Sequence, residues 1–266
     1  MKKVKFFNKY PTNIDIDTDK NVEVYIDEFN TTNVPDGDIR IVILEESLKG
    51  HLFSMAYDHR DAYTYLLTYH QELLNDNPKA MLFHSTINSW IDGYTFPQKK
   101  FGVSTLVGGK EDPRQAGYKL RHELWHNRNH IIIPKYFYLS TAVRWKSVNY
   151  ENELVLEYSK FPMFDSQFHI AIENTAIDHY FSEKLLDCFQ TKTVPIYYGC
   201  TNIHEYFNID GILTVNTLDG IIDVCNNIKP ETYDNMLPFI EDNFNRSEKW
   251  KSAKGRVEAK VRELIE

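Results

Sequence analysis

Between Phe168 and Gly199 the chain reads FHIAIENTAIDHYFSEKLLDCFQTKTVPIYYG, with its polar residues gathered at two points. The segment scans as a strand, a polar turn, a helix and a second strand ending at glycine. In a parallel sheet, Glu173 and Asn174 then fall just beyond the carboxyl end of a strand, where open α/β sheets bind ligands. Tyr180, Glu183 and Lys184 fall at the start of the helix. A helix N-terminus offers free N–H groups and partial positive charge, so a diphosphate can dock there, and Lys184 adds a full charge. Glu183 repels phosphate; its carboxylate suits the hydroxyls of a ribose or a sugar. Taken alone, a Glu-Lys pair on a helix is a solvated face. The arrangement as a whole carries the argument.

Other residue patterns suggest different chemistry. His122-Glu123-Leu124-Trp125-His126 matches HExxH, in which one helix face holds zinc through two histidines while the glutamate acts as base, so a zinc metallopeptidase is the main rival. Arg121, Asn127 and Arg128 flank it with polarity where a zinc helix is apolar, and no third ligand follows in an extended motif. Asp15, Asp17 and Asp19, and separately Asp36 and Asp38, have D-x-D spacing, but in polar turns that read as solvated loops. Tyr197, Tyr198, Trp90 and Trp145 could line a sugar platform, although such aromatics are more often packing residues. A non-enzymatic carbohydrate-binding module would keep those aromatic surfaces and have no use for Glu183 and Lys184 at a helix start.

The elements that must position these groups follow from short β-branched and aromatic runs separated by helix-like stretches, the pattern of parallel α/β layers. Strands are expected at Val22–Ile26, Ile39–Leu44, Tyr65–Thr68, Met81–His84, Phe101–Leu106, Ile131–Ile133, Phe168–Ile172 and Val194–Tyr197. Helices are expected at Asp61–Tyr63, Gln71–Asn75, Ala116–Asn127, Ser182–Gln190 and over the charged run Arg246–Glu266. Gly and Pro are densest around Thr95–Gly109, which marks a domain boundary. The 266 residues, 42% hydrophobic, are enough for one large domain or two compact ones. Three cysteines without a CxxC pair suggest neither a disulfide framework nor a cysteine zinc site. With no signal-like or membrane-spanning run, the expected setting is cytoplasmic. A net charge of -8 argues against nucleic acid as a partner.

The Phe168–Gly199 segment resembles the signature of the fucosyltransferases of glycosyltransferase family 10, F-x-x-x-x-E-N, then Y-x-x-E-K, then V-P-x-Y-x-G. Phe168, Glu173, Asn174, Tyr180, Glu183, Lys184, Val194, Pro195, Tyr197 and Gly199 carry it. FGVSTLVGGKEDPRQAGYKLRHELW is similar to the opening of the family's donor domain, and YTYLLTYHQELLNDNPKAMLFHSTINSWI to the end of its acceptor domain. The resemblance implies a GT-B-like α/β fold of two facing Rossmann-like domains: residues 1–97 on the acceptor side, residues 98–245 binding the sugar nucleotide, and residues 246–266 as a helix packing back across the domains.

It also implies inverting, metal-independent transfer of a sugar, foremost L-fucose from GDP-fucose, to a glycan hydroxyl, with another nucleotide sugar as the alternative donor. Tyr180, Glu183 and Lys184 would contact the donor alongside Glu173 and Asn174, and Lys119 or Arg121 would match the family's diphosphate-binding arginine. Inversion needs a carboxylate to take the acceptor's proton, and Glu45 or Glu46, after the Ile39–Leu44 strand, is the candidate base.

Overall fold

The structure is a computed structural model that describes residues 1–8, 13–47, 49–84, 91–140, 154–156 and 159–266. The chain divides into two compact units, Met1–Ile87 with Ser252–Glu266, and Asn88–Lys251. The division thus falls at residue 87, whereas the glycine- and proline-rich stretch suggested residue 97.

The first unit runs β1 (Lys2–Lys3), β2 (Lys5–Asn8), β3 (Asp17–Thr18), β4 (Val22–Ile26), β5 (Ile39–Ile43), α1 (His51–Asp58), β6 (Tyr65–Thr68), α2 (Gln71–Asp76) and β7 (Ala80–Leu82). Strands β2, β4, β5, β6 and β7 form a parallel sheet in that order. Side chains alternate across a strand, so consecutive apolar residues in β4 and β5 feed two cores. Val22, Val24, Ile26, Ile41 and Ile43 pack on one face, and Tyr25, Val42 and Leu44 belong to the other with Ala56 of α1 and Leu73 of α2.

The second unit contains β8 (Lys100–Val107), α3 (Ala116–Asn127), β9 (Lys135–Ser140), β10 (Leu154–Leu156), β11 (Ser166–Ile172), α4 (Glu183–Gln190), β12 (Val194–Tyr198), β13 (Leu213–Thr214), α5 (Leu218–Asn227) and α6 (Pro230–Ser247). Its sheet order is β10-β9-β8-β11-β12-β13, all parallel. This is the doubly wound 3-2-1-4-5-6 order, whose strand order reverses between β8 and β11 and opens a crevice at their carboxyl ends. Two parallel sheets flanked by helices make the expected pair of Rossmann-like domains. The last helix, α7 (Ala253–Ile265), returns to the first unit, where Val257, Val261 and Ile265, spaced by four, cover the first core.

Three expected elements differ. Ile131–Ile133 is not a strand: Ile131 is buried but Ile132 is 79% exposed, and β9 begins only after Pro134, whose carbonyl accepts the Val103 N–H. Asp61–Tyr63 is covered by a single 3-10 turn, Arg60–Ala62. The run from Arg246 is no single helix; it passes through a 3-10 turn at Glu248–Trp250 and restarts where Ser252 caps α7 by accepting the Gly255 N–H. Among the described residues no helix is long and apolar enough to cross a membrane.

Candidate functional site

The crevice predicted by the strand order is present in the second unit. A cavity of about 200 Å³ lies at the ends of β8 and β11, lined among others by Gly108, Arg121, Lys160, Glu183, Lys184 and Asp187. Behind two of these residues, Glu183 and Lys184, stands Glu173, which follows β11 and is fully buried. The Ser182 N–H donates to Glu173 Oε1 at 2.8 Å and the Ser182 hydroxyl to Oε2 at 2.6 Å. Ser182 is also the N-cap of α4, accepting the Lys184 N–H. The Lys184 ammonium donates to Ser182 Oγ and to Glu183 Oε1, each at 3.1 Å, and stands 3.6 Å from Glu173 Oε2. The buried carboxylate after β11 thereby fixes where α4 starts and where its first two charged side chains stand.

Two glycines permit this packing. A Cβ on Gly117 would lie 1.7 Å from the Glu173 carbonyl oxygen, and one on Gly199 would meet both the Tyr197 hydroxyl at 2.4 Å and Glu173 Cγ at 2.6 Å. The Gly117 N–H bonds the Asn174 carbonyl, so α3 begins against the same turn. Arg121, one helical turn along, donates from Nε to the Ile172 carbonyl at 3.0 Å and from Nη2 to Asn174 Oδ1 at 2.6 Å. These two bonds leave Nη1 without a partner among the described residues.

The charged groups around the pocket are paired with one another. Burial pushes the Glu173 carboxyl upward, against the pull of Lys184 and the two Ser182 bonds. Burial would also raise Glu183, but Lys184 and Lys160 bring it below the ordinary glutamate value. Burial works to lower Lys184, yet Glu173 and Glu183 hold it above the usual lysine value. Lys160 pairs with buried Asp187 at 3.0 Å. His169, in the cavity lining, contacts Ser104 Oγ through Nδ1 at 2.8 Å, and burial first, then Lys160 and Lys99, push its imidazole pKa down to about 3.

The expected residues are thus sorted. Arg121, Asn174, Glu173, Glu183 and Lys184 come together, and Tyr180 is buried beside them, acting electrostatically on Lys184 and Arg121. Lys119 does not join: it is 77% exposed and pairs with Glu123 along α3. Glu173 and Asn174 serve the frame, one holding Ser182 and the other holding Arg121. Lys160, Asp187, Ser182 and His169 went unnoticed in the sequence. Asp187 is four residues from Glu183, on the same helix face, a spacing that signals it; Lys160 has no such local signal.

In the first unit, Glu45 and Glu46 follow β5. The Glu45 N–H and Glu46 N–H both donate to Asp27 Oδ1, at 2.8 and 3.3 Å. Tyr69 Oη donates to the Glu45 carbonyl at 2.6 Å, and His70 Nε2 to the Glu46 carbonyl at 3.0 Å. Glu46 is exposed and lines a cavity of about 150 Å³ with Asp27, His51, Phe53 and His70. Glu45 is half-buried; burial lowers the Arg256 guanidinium of α7 to about 10, and the charge of Glu45 opposes that shift.

The competing motifs have ordinary roles. His122 contacts the Lys110 carbonyl at 3.4 Å, His126 is exposed, and the described residues include no group of three or more His, Cys, Asp or Glu suited to a metal ion. Asp15 and Asp17 pair with Lys3 at the surface, and Asp38 accepts from Asn21. Tyr197 is buried with its hydroxyl accepting the Cys200 N–H; Trp90 and Trp145 lie outside the described residues.

No protein-family model matches the chain. Similar solved structures include an α1,3-fucosyltransferase with GDP, 14% identical at a TM-score of 0.53, covering 90% of this chain and 79% of that one. An α1,3-fucosyltransferase with GDP-fucose is 15% identical at 0.52, covering 82% and 70%. The pneumococcal O-GlcNAc transferase GtfA, in complex with UDP and GlcNAc, is 10% identical at 0.53, covering 91% and 56%. Among curated proteins, an alpha-(1,4)-fucosyltransferase of Arabidopsis thaliana is 42% identical over 40 residues, which are 15% of this chain and 10% of that protein. The fold is the GT-B fold of glycosyltransferases. Within that class, the chain resembles the fucosyltransferases, in fold along most of its length and in sequence over a short stretch.

Proposed function

We propose that the chain is an inverting glycosyltransferase that moves L-fucose from GDP-fucose to a glycan hydroxyl. The observation that carries this reading is the cavity at the switch point of the second sheet, where Arg121, Lys160 and Lys184 meet Glu183 at the start of α4. Such a pocket suits a diphosphate with hydroxyls attached. The cations and the α4 N–H groups take the phosphate oxygens, and Glu183 accepts from sugar or ribose hydroxyls. The likeness to fucosyltransferases supports GDP-fucose as that donor.

In this reading the second unit binds the donor and the first is the acceptor side. The acceptor oxygen attacks the anomeric carbon, its proton passes to a carboxylate, and the bond from that carbon to the diphosphate oxygen breaks with inversion. Glu45 and Glu46 are the candidates for the carboxylate. Exposure and a place on the cavity wall favour Glu46, whereas Glu45 is half-buried. Charge growing on the departing GDP is met by Lys184 and Arg121, fixed cations doing what a metal ion does elsewhere, so no metal is required. Three cysteines, all free and buried, support a reducing, cytoplasmic setting.

The test is nucleotide release from GDP-fucose, with UDP-glucose and UDP-GlcNAc as comparators, alone and with a panel of oligosaccharides. Release of GDP with a fucosylated product supports the reading. Absence of nucleotide release from every donor overturns it.

A further inference from the structure

The dipeptide Glu45-Glu46 has four main-chain polar groups, and side chains from the two neighbouring strands bind all of them. Asp27, just past β4, takes both N–H groups on a single oxygen; Tyr69 and His70, just past β6, take the two carbonyls. Residues after strands are normally held by turns of their own or by water. Here three side chains span the carboxyl edge of β4, β5 and β6 to hold one pair of peptides. The arrangement also has a cost. Asp27 sits at φ 49°, a left-handed conformation that Asp tolerates better than most residues but that still stores strain. His70 donates from Nε2, which leaves Nδ1 buried and without a hydrogen-bond partner among the described residues. Strain and an unpaired buried nitrogen persist where geometry matters more than stability.

We propose that Asp27, Tyr69 and His70 are positioning residues that lock the Glu45-Glu46 peptides and so fix the direction of the Glu46 carboxylate for proton abstraction. This rests on the glycosyltransferase reading. Asp27 Oδ2 has no hydrogen bond among the described residues, so the lock uses Asp27 only as an acceptor through Oδ1. Its charge is dispensable for this role.

Two substitutions separate that role from its rivals. Asp27→Asn keeps an Oδ1 acceptor and tolerates the same backbone; Asp27→Gly keeps the backbone conformation and removes the acceptor. Asp27→Asn is expected to retain kcat within about threefold, whereas Asp27→Gly lowers it on the order of a hundredfold with little change in the KM for GDP-fucose. Tyr69→Phe, which deletes one hydroxyl, falls between them. Amide hydrogen exchange gives a second readout that needs no turnover: protection of the Glu45 and Glu46 amides survives in Asp27→Asn and is lost in Asp27→Gly. If Asp27→Asn is as inactive as Asp27→Gly, Asp27 acts through its charge and the positioning role is wrong. Full kcat in folded Asp27→Gly overturns that role as well. A wild-type protein that turns over no nucleotide sugar overturns the glycosyltransferase reading itself, and with it the catalytic meaning of the lock, whatever the exchange data show.

Discussion

Ser182 meets Glu173 twice, giving its backbone N–H to one carboxylate oxygen and its hydroxyl to the other, at 2.8 and 2.6 Å. Nine residues of chain separate the two, and the pair of bonds converts the carboxyl end of β11 into the anchor for the amino end of α4. The charged groups proposed to hold the donor stand on the first turn that this anchor fixes.

Removing the anchor leaves a buried N–H and a buried hydroxyl without their acceptor. Glu173→Ala is expected to lower the free energy of unfolding by roughly 3 kcal/mol, since each orphaned buried donor costs about 1–3 kcal/mol. Guanidinium unfolding followed by circular dichroism measures it. A loss below about 1 kcal/mol would mean that water or a rearranged Ser182 replaces the carboxylate.

Gly117 and Gly199 both press on Glu173, one on its carbonyl and one on its side chain. Alanine at either position needs the backbone or Tyr197 to move, so both variants should melt several degrees lower. Gly220, on the first turn of α5, provides the control: its added Cβ meets only Thr217 Oγ1 at 3.2 Å, and alanine favours a helix. Differential scanning calorimetry should rank Gly220→Ala near the parent and the other two well below. Equal melting points for all three would contradict the packing described.

His169 supplies a pH dependence of definite sign. Its ordinary value of 6.5 is lowered to about 3 by burial first and then by Lys160 and Lys99. Below pH 6.5 the unfolded chain takes up a proton that the folded chain refuses, so the neutral histidine favours folding above 6.5 and that advantage drains away as pH falls toward 3. His70, lowered chiefly by burial, acts in the same direction. Unfolding free energy should therefore drop between about pH 7 and pH 5, and the His169 ring carbons should show no titration in that interval by NMR. A His169 resonance that titrates near 6.5 would refute the buried, neutral assignment.

The HELWH stretch should prove inert toward metal. His122→Ala and His126→Ala are expected to leave melting temperature and nucleotide turnover unchanged, in chelator and with added zinc. Lost activity in chelator, reproduced by either variant, would revive the zinc reading.

The fold and the site were legible in the sequence to different depths. β4, β6, α3 and α4 follow from local patterns, because short runs of apolar and aromatic residues bounded by polar turns, and in α4 an amphipathic run capped by Ser182, leave few alternatives. Ile131–Ile133 misled because three apolar residues look like a strand until Pro134 removes an N–H. Glu173 and Lys184 stood out by spacing, but the role of Glu173 depends on a burial that spacing does not reveal. Lys119 and Arg121 are two residues apart on one helix, and only the orientation of α3 on the sheet separates the solvated lysine from the buried arginine. Lys160 and Asp27 carry no local signal, since each meets its partner through strand order.

The most direct test of the account is calorimetric titration of GDP into the parent protein and into Lys184→Ala, Arg121→Ala and Lys119→Ala. The account predicts that GDP binds the parent, that Lys184→Ala and Arg121→Ala each weaken it about tenfold or more, and that Lys119→Ala leaves it unchanged. Absence of GDP binding to the parent, or affinity indifferent to Lys184 and Arg121, would contradict the claim that the β8–β11 crevice is a nucleotide-sugar site.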